Sequence, residues 1–165
     1  MNNYLQSIDK REEWKNFYKY SNPKHPEDEV KNVLIDRIDV ICPGFEYLVD
    51  FDWEVERGYS NKGKGDLIFG SDCGVYLIVE TKSLHPGSGR TAQVSRHNSR
   101  HKVKEQANRY REIAIRRFGI NAKVIGATFT NEDYQIHFLD DYDEQIAKHN
   151  PETQFLFLWT VWFHY

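Results

Sequence analysis

Val75-Tyr76-Leu77-Ile78-Val79 is apolar or aromatic at every position, so neither face of this segment can be left to water. Successive side chains of a strand point to opposite sides. A run without alternation therefore needs cover on both, which predicts a central strand with helices packed over each face of its sheet, an α/β fold. The run ends in Glu80-Thr81-Lys82. Charges closing a buried strand are costly unless they are paired or hold a cation, so chemistry is expected at this end.

The rest of the chain can be laid out around that strand. Gly70-Ser71-Asp72-Cys73-Gly74 is a turn, and Asp66-Leu67-Ile68-Phe69 before it reads as the neighbouring strand. Phe45 to Arg57 reads as another strand, with Tyr47, Val49, Phe51, Trp53 and Val55 on one face, and Gly58 to Lys64 as a loop. Upstream, Trp14, Phe17 and Tyr18 have helical spacing within a helix from Asp9 to Tyr20, broken by Ser21-Asn22-Pro23. Pro26 suits the first turn of a second helix, whose stripe Val30, Val33, Leu34, Ile38 and Ile41 ends at Cys42-Pro43-Gly44.

Downstream, His85 to about Ser99 shows no apolar period and is expected to be irregular. A helix is predicted from His101 to Phe118, carrying Val103, Ala107, Tyr110, Ile113, Ala114 and Arg117 on one side and stopped by Gly119. Val124 to Thr130 and Tyr134 to Leu139 read as strands, Asp140 to His149 as a helix, and Gln154 to Tyr165 as a last strand. No repeat or linker interrupts the order. One domain over 1–165 is expected, with a core at about 26–130, an N-terminal helix within 1–25 and a C-terminal extension over 131–165.

Composition narrows the function classes. With 39% hydrophobic and 15% aromatic residues the chain is too apolar for disorder, and no apolar run is long enough to span a bilayer, so no membrane partner is expected. Cys42 and Cys73 make neither a disulfide framework nor a zinc site. Met1 to Leu5 lacks the pattern of a signal peptide, and an intracellular setting, cytoplasmic or nuclear, is expected. The net charge of −3 is no global sign of a nucleic-acid binder.

Asp66 opens one strand, and Glu80 and Lys82, two apart on the next, share a face. Asp66, Glu80 and the Thr81 carbonyl are a donor set for a hard cation, Mg²⁺ or Mn²⁺, and Lys82 is placed to serve water or a phosphate beside it. An isolated Glu-x-Lys is more often a solvated cross-strand pair. The apolar strand before it argues for function here.

Asp66, thirteen residues, then Glu80-Thr81-Lys82 resembles the signature of the PD-(D/E)XK nuclease superfamily. Gln106-Ala107-Asn108-Arg109-Tyr110 on the following helix is similar to the Q-x-x-x-Y motif of its RecB and phage-exonuclease branch. The likeness covers about residues 26 to 130 and departs from the family where Gly65, not proline, precedes Asp66. It implies a restriction-endonuclease-like mixed sheet flanked by helices. It also implies catalytic roles for Asp66, Glu80, Lys82, Gln106 and Tyr110, and a glutamate of the first core helix in the metal shell. Glu27 fits that place, although an acid in a first turn is equally explained by the helix dipole.

From Lys82 to Lys104 there is no acid, but there are Arg90, Arg96, Arg100, Lys102 and Lys104, with His85, His97 and His101. Such a segment between the Glu-x-Lys strand and the Gln106 helix suits salt-dependent, sequence-blind contact with phosphates, and Lys62 and Lys64 extend it. The aromatic tail, Phe155, Phe157, Trp159, Trp162 and Phe163, reads as core or as the interface of a homodimer. The expectation is a metal-dependent endonuclease acting on DNA, structure-selective or non-specific. The alternatives are a non-catalytic nucleic-acid-binding or assembly subunit that keeps the fold, or a nuclease acting on RNA.

Overall fold

The computed structural model describes residues 8–21, 25–55, 63–119 and 121–149. Helices α1 (Arg11–Tyr20) and α2 (Pro26–Ile41) come first, followed by strands β1 (Tyr47–Glu54), β2 (Lys64–Gly70) and β3 (Val75–Lys82). Helix α3 (Arg90–Phe118) crosses to β4 (Lys123–Thr130), and β5 (Ile136–Phe138) and α4 (Asp141–Lys148) complete the order. Among the described residues the sheet has five strands in the order β1-β2-β3-β4-β5. Only β3 and β4 are parallel, and α3 is the long crossover such a pair requires.

The central strand is covered on both faces. Leu77 and Val79 of β3 pack with Leu67 and Phe69 of β2 against Val30, Leu34, Ile35 and Ile38 of α2 and Trp14 of α1. Ile78 faces the other way with Ile68, against Tyr110 and Ala114 of α3. The α2 stripe is buried or half-buried throughout, as its spacing predicts. Among the described residues no helix is long and apolar enough to cross a membrane.

Two predicted elements differ from the outcome. In β1, Tyr47 pairs with Gly70 and Leu48 with Phe69, but Asp50 pairs with Ile68, so Val49 is an extra residue in the ladder. This bulge flips the side-chain parity once, and Asp52, with φ of 45°, changes it again between Phe51 and Trp53. Phe51 joins the α2 side with Leu48, while Val49, Trp53 and Val55 join the α3 side, so the five residues expected on one face are divided. The second difference is at 85–99. Helix α3 begins at Arg90 rather than His101 and is 29 residues long. Residues 90–102 bury no side chain, so this half has no apolar period for the sequence to reveal. It extends a helix anchored further on by Val103, Ala107, Tyr110 and Ala114, since adding a turn to an existing helix is far easier than starting one. The expected tail strand, Gln154 to Tyr165 with its aromatic residues, lies outside the described residues.

Candidate active site

Antiparallel pairing of Leu67 with Val79 brings Asp66 and Glu80 together one step further out. Their backbones and side chains interlock. The Asp66 N–H donates to Glu80 Oε1 at 2.8 Å. The Thr81 N–H and hydroxyl both donate to Asp66 Oδ2, at 2.7 and 2.8 Å. Glu80 is 4% exposed. Burial raises its pKa well above the usual carboxylate range, and the negative charge of Asp66 adds to the effect. A buried acid beside a second acid, with one backbone donor on it, is an arrangement that a cation would relieve, so the donor set fits Mg²⁺ or Mn²⁺. Among the described residues no group of three or more His, Cys, Asp or Glu is placed to hold a metal. Asp66, Glu80 and the Thr81 carbonyl would thus form part of a shell completed by water, the usual habit of Mg²⁺.

Lys31 is the residue that sequence reasoning missed. It lies on α2 and its ammonium contacts Asp66 Oδ1 at 3.0 Å and Asp52 Oδ1 at 2.5 Å, with the side chain 7% exposed. Burial alone would lower its pKa, but the charges of Asp66 and Asp52 outweigh that, and the group is held protonated above its ordinary range. Asp52 has φ of 45°, a left-handed conformation that Asp tolerates better than most residues. A signal was present in the sequence: Lys31, Ile35 and Ile38 follow i, i+4, i+7, which puts a lysine on the buried face of α2.

Lys82 and Glu27 are joined directly, Lys82 Nζ to Glu27 Oε1. Glu27 also lies near enough for its charge to push Glu80 upward, although its carboxylate is turned to Lys82. Tyr110 is 4% exposed, edge-on to Trp53 with ring centroids 5.8 Å apart. Burial and the charge of Glu80 raise its pKa, so its hydroxyl keeps its proton at neutral pH. Gln106 is exposed and lines a shallow cleft with Lys102, Glu105 and Arg109. Among the described residues it makes no hydrogen bond to Asp66, Glu80 or Lys82. Gly65 pairs with Trp53 across the ladder, and a Cβ there would come within 2.3 Å of the indole. No side chain, proline's included, fits before Asp66 while that indole is in place.

The basic segment separates into two sets. Arg100 Nη1 pairs with Glu132, and Arg96 donates to the carbonyls of His85 and Gly87 besides lying 4.0 Å from the same glutamate. Both therefore brace α3 against the turn after β4. Arg90, Lys102 and Lys104 are exposed on α3, as is Lys64 at the start of β2. Lys62 lies outside the described residues. His85 accepts from the Gly87 N–H in the exposed loop, and His101 lies 3.5 Å from Glu105. Neither histidine joins the acid cluster.

A cleft of about 810 Å³ runs along β1 and the end of α3, between Asp50–Val55 and Ile113, Arg116 and Arg117. It includes Asp52, the partner of Lys31, but neither Asp66 nor Glu80. Compared with protein-family models, curated sequences and solved structures, the chain finds no match in any of the three.

Proposed function

We propose that this chain is a Mg²⁺- or Mn²⁺-dependent nuclease of the PD-(D/E)XK type, with a restriction-endonuclease-like core, hydrolysing phosphodiester bonds of DNA. The observation that carries the reading is the interlocked pair Asp66 and Glu80. One acid is buried, both sit at adjacent strand ends, and Lys82 leaves the same strand two residues later. Asp66, Glu80 and the Thr81 carbonyl would hold the ion. When bound, it supplies charge neutralisation at the phosphate and a water of lowered pKa. Thr81 fixes Asp66 through two hydrogen bonds, so the carboxylate is oriented before anything binds. Lys82, released from Glu27 to a phosphate oxygen, counters charge as the phosphorus becomes five-coordinate. Tyr110 limits the space beside Glu80 and offers a protonated hydroxyl. The exposed cations Lys64, Arg90, Lys102 and Lys104 would bind the backbone without reading bases, in keeping with structure-selective or non-specific cleavage.

One observation favours a second reading. The pairs Lys82–Glu27 and Lys31–Asp66 already satisfy much of the charge in the cluster, as a non-catalytic subunit with the same fold would also have it. The test is incubation of the purified chain with labelled single-stranded, duplex and branched DNA, and with RNA, in Mg²⁺, Mn²⁺ or EDTA. Cleavage that needs the metal and is lost in Asp66→Asn and Lys82→Ala is the expected result. Activity untouched by both substitutions, or none from the parent on any substrate, overturns the enzymatic reading. Binding without cleavage supports the second.

A further inference from the structure

Lys31 is more than a neighbour of the acid cluster. Its ammonium is a buried cation tethered through α2, in contact with one oxygen each of Asp52 and Asp66. Removing one partner from a buried ion pair leaves an uncompensated charge, so Lys31 is fixed in place by the same two acids that it neutralises. Asp66 is nearly saturated by protein partners, because Oδ2 accepts twice from Thr81 and Oδ1 holds Lys31. Two metal ions a few ångströms apart need carboxylate oxygens to share between them. The ion pairs point the same way. Lys31 pairs with Asp52 and Asp66, and Lys82 with Glu27, so among the described residues Glu80 is the acid of the cluster left without an ion pair, a place for one cation.

The geometry points to a site that takes one divalent cation, with Lys31 standing where a second would otherwise be needed to neutralise Asp52 and Asp66. Lys31 is thus a positioning residue: its tethered ammonium holds Asp66 Oδ1 in place and limits the metal count. This rests on the nuclease reading for the existence of the first ion.

The test titrates the full chain with Mn²⁺, without nucleic acid, by calorimetry and electron paramagnetic resonance. The parent is expected to bind one ion. Lys31→Met is expected to bind two, with spin coupling between them, and Lys31→Arg to return to one. Two ions on the parent, or one on a folded Lys31→Met, overturns the inference while leaving the nuclease reading intact. No ion on the parent overturns both. Should Lys31→Met fail to fold, ¹⁵N resonance of the Lys31 ammonium in the parent decides. A signal that stays protected at saturating Mg²⁺ supports its fixed place, and loss of that signal on adding Mg²⁺ overturns it.

Discussion

Glu80 is an acid held where its ionisation is unfavourable. It is 4% exposed, next to Asp66, and its pKa is raised by burial first and by that neighbour second. A carboxyl group whose folded pKa lies above its unfolded value binds its proton more tightly in the folded state. Its contribution to stability is then fully present below the ordinary Glu value of about 4.3, and is lost as pH rises through the raised value. Without metal, loss of the Glu80 proton as pH rises therefore weakens the fold. Glu80→Gln keeps an acceptor for the Asp66 N–H and removes the charge. It is expected to stabilise the metal-free protein at pH 7 and to flatten the loss of stability with rising pH. Urea unfolding in EDTA across a pH series measures both, and a variant no more stable than the parent at pH 7 contradicts the account.

At the scale of elements, the helices are held by different means. Helix α2 is held by its apolar stripe, which the sequence displays openly. Helix α4 is short: Ala147 and Ile146 pack into the core on the α2 side, and a polar network adds to them. Asp140 caps it by accepting from the Asp143 N–H at 2.9 Å. Asp143, 1% exposed, accepts from the Gly126 N–H of β4 and from Arg111 of α3 at 2.6 Å. Arg111 also holds Asp140 at 2.8 Å, so one guanidinium ties α3, β4 and α4 together. Arg111→Ala leaves Asp143 buried without its cation and is expected to cost about 3 kcal/mol, read as a lower urea midpoint at unchanged slope. A loss within about 0.5 kcal/mol, the range of ordinary surface substitutions, contradicts the assignment. The N-terminal half of α3 is the opposite case. It has neither an apolar stripe nor many braces, and is helical because its other half is packed.

For the whole molecule, the net charge of −3 conceals a division of charge between the strand-end acids and the α3 cations. If the chain binds DNA through that surface, the cations that have no ion pair set the salt dependence. Lys102→Ala and Lys104→Ala are each expected to reduce the slope of log affinity against log salt by about 0.9. Arg100→Ala is expected to change it less, because Glu132 already neutralises that side chain. Fluorescence anisotropy of a labelled duplex over a salt series reads these slopes, and equal effects at all three positions contradict the division. The sequence by itself determined the place of β3 at the centre of a sheet between helices, the α2 stripe, and Asp66 and Glu80 as neighbours on adjacent strands. All of these follow from periodicities of two and 3.6, which are local properties of the chain. Only the tertiary structure decided that α3 begins at Arg90, that a bulge at Val49 and the left-handed backbone of Asp52 divide the side chains of β1, and that Trp53 excludes a side chain at position 65. It also decided that Lys31 is bound to Asp66 and Asp52. Those outcomes depend on which segments meet, and contacts between residues far apart in the chain leave no period in the sequence to read.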